Sequence, residues 1–227
     1  MTPYYDENGI TIYHGDGVAL GPELVFGPDR VLLTDPPYGI AYKSNRPRLY
    51  GNARSIANDA DAGMRDLILD WWYGPAVVFG SWRKQKPART RATLIWDKGG
   101  ALGMGDLSIP WKVDHEEVYI IGKGFVGRRD CGSVLRFAPE QSMGRLHPHQ
   151  KPIPLLISLL LKCPAGEVFD PFMGSGSTLV AAKALGRRAI GIELEERYCE
   201  IAARRLSQGV LDFRAPAAPT ARQEPLL

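Results

Sequence analysis

With 227 residues, 44% of them hydrophobic and 23% charged, the chain has the length and balance of one globular unit with a substantial core, not of a disordered or fibrous polymer. A net charge of +3 excludes a protein that coats nucleic acid by bulk charge, while leaving room for a local basic groove. No apolar run reaches spanning length, the polar stretch from Met1 to Gly9 is not a signal peptide, and Cys131, Cys163 and Cys199 are scattered without metal spacing or a disulfide framework, so a cytoplasmic protein with buried thiols and no membrane partner is expected.

The first strand is expected from Gly9 to His14, where Ile10 and Ile12 alternate with polar neighbours and lead into Gly15-Asp16. That pair reads equally as a plain Asx turn and as a ligand contact. Val31-Leu-Leu-Thr34 then forms an apolar run that stops abruptly at Asp35-Pro-Pro-Tyr-Gly39, the pattern of a buried strand delivering a rigid loop to a sheet edge. Proline has no N–H and a fixed φ, so Pro36 and Pro37 stiffen the backbone and leave carbonyls to accept hydrogen bonds from outside. Asp35 adds a carboxylate, Tyr38 a flat stacking face and Gly39 room to turn. Two acceptors beside an aromatic plate suit a planar ring bearing an amino group, although the stretch alone also reads as an ordinary strand-ending turn.

Residues 41–58 show no sustained period yet carry Lys43, Arg46, Arg48, Tyr50 and Arg54. Such a loop suits phosphate contact, with Tyr50 as a wedge where a base leaves its stack, and equally suits a solvated segment that orders on nucleic acid. A helix is expected from Asp61 to Tyr73, with Met64, Leu67, Ile68 and Trp71 on its inner face, then a strand from Ala76 to Gly80. Ser81 to Arg91 gathers five basic residues, read as a solvated helix face and a secondary phosphate contact. Strands follow at Ala92–Asp97 and Glu116–Gly122, joined by a glycine-rich link, with Trp96 and Trp111 as core or rim aromatics and His115-Glu116 as a structural pair. From Lys123 to Leu146 there are Arg128, Arg129, Arg136 and Arg145, several glycines and no clear element.

Ile153 to Leu161 is apolar nearly all round, which predicts a buried helix beginning after Pro152. Glu167 to Thr178 repeats the strand-to-loop theme, ending in Asp170-Pro-Phe-Met-Gly-Ser-Gly-Ser-Thr178 before a helical run from Leu179 to Leu185. A dinucleotide fingerprint would need glycine where Leu179 stands, and a P-loop would need Gly-Lys-Ser/Thr; neither fits, which leaves a nucleoside or amino-acid carboxylate site. A strand from Ala189 ends in Glu193, roughly 20 residues past the glycine loop, where a carboxylate can accept both hydroxyls of a ribose. An amphipathic helix from Glu195 to Leu206 turns Tyr198, Ile201, Ala202 and Leu206 inward, and a mobile tail is expected over 209–227.

TDPPYG at 34–39 and FDPFMGSGST at 169–178 together resemble the amino-directed DNA methyltransferases that use S-adenosylmethionine, and their order resembles the permuted β group. His147-Pro-His-Gln-Lys-Pro152 and Arg188-Ala-Ile-Gly-Ile-Glu193 extend the resemblance, and His115-Glu116 resembles a short element that supports the base pocket in this family. It implies an α/β fold, a mostly parallel Rossmann-like methyltransferase sheet with helices on both faces, as one catalytic domain over 1–208 with insertions at 41–58 and 123–146, the latter a short target-recognition region. Asp35, Pro36, Pro37 and Tyr38 would be catalytic. The S-adenosylmethionine site would comprise Asp16, Lys151 (toward the methionine carboxylate), Asp170, Pro171, Phe172, Gly174, Gly176, Ser177, Thr178 and Glu193, with no metal. Lys43, Arg46, Arg48, Arg54, Arg128 and Arg129 would contact double-stranded DNA. The resemblance leaves open a partner restriction endonuclease and a homodimer.

The implied reaction methylates an exocyclic amine whose lone pair is delocalised into the base. Hydrogen bonds from the amine to Asp35 and the Pro36 carbonyl would draw the nitrogen toward tetrahedral geometry, with the base flipped out and stacked on Tyr38. An Asp at the head of the loop goes mostly with adenine in this family, so adenine N6 is expected. Cytosine N4, an RNA or protein amide, and a silent DNA-binding sensor of S-adenosylmethionine are the alternatives.

Overall fold

Short runs of aliphatic and aromatic residues, each bounded by turn formers, pair here into one sheet whose two faces are both covered. The computed structural model describes residues 1–25, 27, 29–37, 63–100, 108, 110–140 and 150–208. The expected insertion at 41–58 and tail at 209–227 lie outside the described residues.

The strands are β1 (Tyr5–Glu7), β2 (Ile10–His14), β3 (Arg30–Thr34), β4 (Ala76–Gly80), β5 (Thr90–Asp97), β6 (His115–Ile121), β7 (Val134–Arg136), β8 (Glu167–Asp170) and β9 (Ala189–Glu193). They form a sheet in the order β1-β2-β9-β8-β3-β4-β6-β5-β7. The run β2-β9-β8-β3-β4 is parallel, while β6 is antiparallel to both β4 and β5. The expected mostly parallel α/β sheet is therefore present, with β6 reversed inside it and β1 reversed at its margin, where it pairs antiparallel with β2.

Helices α1 (Gly17–Leu24) and α2 (Gly63–Trp71) cover one face; α3 (Ile153–Leu160), α4 (Ser177–Ala184) and α5 (Glu196–Ser207) cover the other. In β3 the side chains alternate accordingly: Leu32 joins Ile68, Trp72, Val78 and Phe169, whereas Val31 and Leu33 join Leu155, Leu156, Leu179 and Ala202. All three β3 residues are 0% exposed, each contributing about 1.5–3 kcal/mol of burial that pins the strand carrying Asp35. Trp72 stacks on Phe169 with ring centroids 5.8 Å apart, joining α2 to β8. Among the described residues no helix is long and apolar enough to cross a membrane.

The structure corrects several expectations. Helix α1 falls where the sequence predicts none, because two glycines and Pro22 in eight residues argue against a helix. It forms because Asp16 caps it and because Gly21 lets it approach Trp71, where a Cβ would come within 2.7 Å of the ring. Strands β1 and β7 are also additions to the expected set, each being three residues long and paired at a sheet margin. In α2 the inner face is Arg65, Ile68 and Leu69, while Leu67 is 48% exposed. Arg65 is drawn inward because its guanidinium donates to the Gln85 carbonyl at 2.9 Å. The basic run 81–91 is not helical: Arg89 donates to the carbonyls of Leu69 and Trp72, and Arg91 to that of Gly122. Cys163 and Cys199 are buried but Cys131 is exposed. Trp96 is a core residue and Trp111 a 76% exposed one.

Candidate functional site

In a parallel sheet with helices on both faces, ligands meet the carboxyl ends of the strands. Here β3 and β8 are hydrogen-bonded neighbours, so Asp35, which follows β3, and Asp170, which ends β8, emerge side by side. Thr34 Oγ1 donates to Asp170 Oδ1 at 2.8 Å and ties the two strand tips together. One cleft is lined by Asp35, Lys151, Asp170, Phe172, Ser175 and Thr178, drawn from both sequence motifs.

The loop after β8 is held from inside. Phe172 N donates to Asp170 Oδ1 at 3.1 Å, and Gly174 N donates to Glu193 Oε2 at 3.0 Å. Glu193 Oε1 accepts from Glu195 N at 2.7 Å. Gly176 takes a left-handed φ of 79° directly before α4, and a Cβ there would also meet Ala202 at 2.7 Å, so only glycine serves. No side chain caps α4, which leaves its first-turn N–H groups to a ligand's acceptors. Burial pushes the Asp170 carboxyl up to about 6 despite hydrogen bonds from Thr178, Thr34 and the Phe172 amide. Burial also raises the Glu193 carboxyl, and the Glu195 and Gly174 amides offset part of that shift.

Asp16 accepts from Val18 N at 2.8 Å and from Ala19 N at 3.4 Å, so the Asx-turn reading holds as a helix cap. It also stands at the site's rim, because Gly15 N donates to the Glu193 carbonyl at 2.9 Å. Pro171 is buried with its carbonyl against Gly17, at the start of α1.

Behind Asp35 lies a ladder of alternating charge. Lys151, 5% exposed, pairs with Asp35 Oδ2 and, at 3.2 Å, with Glu116 Oε2; Glu116 Oε1 in turn pairs with Lys98 at 2.5 Å. The Lys151 ammonium lies 4.9 Å from the Phe79 ring centroid and 6.0 Å from that of Trp96. Desolvation would depress the Lys151 ammonium, but Asp35 and Glu116 outweigh it and hold the group above its ordinary value. Desolvation would likewise raise Glu116, yet Lys151 and Lys98 bring it well below the usual carboxylate range.

The structure thus brings together Asp35, Pro36, Pro37, Lys151, Asp170, Pro171, Phe172, Gly174, Gly176, Ser177, Thr178, Glu193 and Asp16 along one edge of the sheet. Tyr38, Lys43, Arg46, Arg48 and Arg54 lie outside the described residues. Arg128 and Arg129 stand apart from the site. The Arg128 carbonyl accepts from Lys162, just past the end of α3, and Val126 N donates to the Lys162 carbonyl. Because α3 begins beside Lys151 and runs away from the cleft, those arginines sit at the opposite edge. Arg136, paired with Asp97 at 3.3 Å, is the basic residue of the 123–140 stretch that returns to the cleft edge, because β7 runs parallel to β5.

Three further residues belong to the site: Glu116, which the family resemblance places near the base pocket but which the sequence reads as a structural pair with His115, and Lys98 and Arg205, which the sequence alone does not single out. Glu116 is not the partner of His115, since consecutive strand residues point to opposite faces; its partners are the lysines. Lys98 carries no signal beyond lying at the end of a strand. Arg205 Nη1 donates to the Ser175 carbonyl at 2.5 Å and to the Ser175 and Ser177 hydroxyls at 3.3 Å, bracing the glycine loop from α5. Its only trace in the sequence is an arginine beside Leu206 on the inward side of a helix.

A family model described as DNA methylase matches residues 81–204. The Escherichia coli (strain K12) protein YubD, which carries a methylase name, is 31% identical over 203 residues, covering 78% of this chain and 81% of that protein. The Type II methyltransferase M.HinfI of Haemophilus influenzae is 46% identical over 80 residues, 34% of this chain and 22% of that one. Among solved structures, the M1.HpyAVI–SAM complex superposes with a TM-score of 0.65 at 22% identity, covering 87% of this chain and 99% of that one. The cytosine-N4-specific PvuII DNA methyltransferase does so with a TM-score of 0.61 at 19% identity, covering 89% and 88%. These last two likenesses are of fold.

Proposed function

The chain belongs to the N6/N4 DNA methylase family, and from that membership we propose that it transfers a methyl group from S-adenosylmethionine to the exocyclic N6 amine of adenine in double-stranded DNA. The observation that carries this reading is the shared cleft: the carboxylate of Asp35 and the loop from Pro171 to Thr178 line one space. A base amine and a methyl donor need such adjacency.

The loop residues suit the donor. The uncapped start of α4 offers N–H groups to its carboxylate, and Glu193 at the tip of β9 is placed to accept from ribose hydroxyls, while Asp16 shapes the neighbouring rim. S-adenosylmethionine, when bound, supplies an electrophilic sulfonium methyl. Asp35 and the Pro36 carbonyl accept the two amine N–H bonds and thereby restore nucleophilic character to the nitrogen. Held by the start of α4 and by Glu193, the donor would supply that methyl in line with the nitrogen and leave as a neutral thioether, and Asp35, already accepting an amine N–H, would take the one proton that the methylated nitrogen gives up. In-line alignment supplies much of the acceleration, since effective molarities of well-oriented groups reach about 10⁵ M or more. Tyr38 stacks on the flipped base in this reading, and Lys43, Arg46, Arg48 and Arg54 neutralise phosphates. Arg136, Arg83, Lys84 and Lys86, near the cleft edge of β7 and β4, join them in place of Arg128 and Arg129. A restriction endonuclease cutting the same site would be the companion activity, and a homodimer the working form.

Adenine is chosen over cytosine on Asp35 at the head of the loop. Incubation with S-adenosylmethionine and unmethylated DNA, digestion to nucleosides and mass spectrometry tests the choice. N6-methyladenine is expected, and N4-methylcytosine would keep the mechanism but overturn the target. Asp35→Ala is expected to lower transfer at least about 10³-fold while binding of S-adenosylhomocysteine survives. Full activity in that variant would refute the catalytic role of Asp35.

A further inference from the structure

The sheet order places β3, β4, β6 and β5 side by side, and their tips carry a continuous line of groups: Asp35, then Phe79, Glu116, and Trp96 with Lys98. Lys151 reaches into that line from the start of α3 and touches most of it. An ammonium has three donors in tetrahedral array and a high desolvation cost, so a lysine this buried persists only where several acceptors converge. Two carboxylates and two aromatic faces meet that requirement here. Trp96 is itself fixed, its Nε1 donating to the Phe137 carbonyl at 2.8 Å, so the aromatic wall has a single orientation.

The charges also limit what else Lys151 can hold. Asp35, Lys151, Glu116 and Lys98 sum to zero, two of each sign, within one run of contacts. A cofactor carboxylate taken by Lys151 would add a third anion to a balanced group and compete with Asp35 for the ammonium. Binding Asp35 instead orients that carboxylate through Oδ2. Glu116 also offsets the Lys151 charge, so that the positive charge growing on an attacking amine meets the Asp35 carboxylate without an uncompensated ammonium behind it.

We infer that Lys151 is a positioning residue that orients the Asp35 carboxylate toward the target amine, and that Glu116 and the rings of Phe79 and Trp96 hold it in place to do so. This rests on the methyl-transfer reading above, and it replaces the assignment of Lys151 to the cofactor's carboxylate. The antiparallel half of the sheet is thereby coupled to the reaction, although it holds neither of the two loops.

The test is a single-turnover methyl-transfer assay of the full chain on unmethylated DNA, with S-adenosylhomocysteine affinity measured in parallel. Lys151→Gln is expected to lower the transfer rate at saturating cofactor about 10²-fold, the scale of a misplaced reacting group, with affinity for S-adenosylhomocysteine within about twofold. Lys151→Arg, which keeps a charged donor, is expected to recover at least about tenfold over Lys151→Gln. Glu116→Gln keeps the shape of the site and is expected to lower the rate about tenfold without changing cofactor affinity; it carries the test if thermal unfolding shows Lys151→Gln to be misfolded. A cofactor affinity that collapses in Lys151→Gln while the saturated rate survives would overturn the inference and return Lys151 to the cofactor. An undiminished rate in either Gln variant would overturn it also. Absence of transfer by the unaltered chain is separately visible in the same assay; it refutes the functional reading and takes this inference with it.

Discussion

Replacing Gly17 by alanine tests how α1 and the glycine loop are fitted to each other. A Cβ on Gly17 would lie 2.0 Å from the Pro171 carbonyl oxygen and 3.0 Å from the Pro171 Cβ. Ordinary carbon–oxygen contacts begin near 3.3 Å, so one backbone must retreat by roughly 1 Å. Neither side yields easily: α1 is capped by Asp16 and packed on Trp71 through Gly21, while the loop is tethered at Phe172 and Gly174. Overpacking of this kind costs about 1–3 kcal/mol. For a domain of this size each kcal/mol lowers Tm by about 2–4 °C, so a fall of about 2–12 °C is expected. If the loop is the side that moves, S-adenosylhomocysteine also binds about tenfold more weakly, a difference of about 1.4 kcal/mol. Thermal unfolding with and without saturating S-adenosylhomocysteine reads both effects. A variant whose Tm stays within about 1 °C of the parent would show that α1 and the loop are not in contact as described.

Asp170 predicts a pH effect. Its carboxyl is pushed from 3.8 up to about 6, so between those values the native state keeps a proton that the unfolded chain has released. The stability this group contributes is therefore full below about pH 4 and lost as pH rises through about 6. Asp170→Asn, whose Oδ1 still accepts from Thr34 and Phe172, should flatten the decline in Tm between pH 4 and pH 7, and an unchanged profile would show that Asp170 is not its source. Arg205→Ala frees the Ser175 carbonyl and two hydroxyls from their brace, so S-adenosylhomocysteine affinity measured by calorimetry should fall about tenfold, by the loss of about 1.4 kcal/mol of loop ordering. An unaltered affinity would mean that the loop keeps its shape without α5.

The order of strands and helices, the two motif loops and the acidic end of β9 are legible because each is written locally. An apolar run of four or five residues ending in Asp-Pro-Pro or in Asp-Pro-Phe-Met-Gly needs no distant partner to be read as a strand meeting a rigid loop. The parallel half of the sheet follows from the alternation of those runs with helical periods. Elements made by their neighbours are not legible. Helix α1 breaks propensity at Gly17, Gly21 and Pro22, and it exists because Pro171 and Trp71 need close approach. The burial of Arg65 in place of Leu67 depends on a carbonyl twenty residues away at Gln85.

The same division runs through the site. Asp35 and the loop from Asp170 to Thr178 were determined by the chain's own pattern, since strand, turn and helix start are adjacent in sequence. Which groups surround Asp35 was decided by tertiary structure alone. Lys98, Glu116 and Lys151 are separated by 18 and 35 residues, and no local period links them. They meet because the reversal of β6 against β4 and β5 turns Glu116 to the cleft edge, where α3 begins. Arg128 and Arg129 show the converse: basic residues in the interval that the resemblance assigns to recognition, carried by the end of β6 to the edge of the sheet opposite the cleft. Charge type is written in the sequence, but which edge a charge occupies depends on strand direction, and direction is set only when the sheet is assembled.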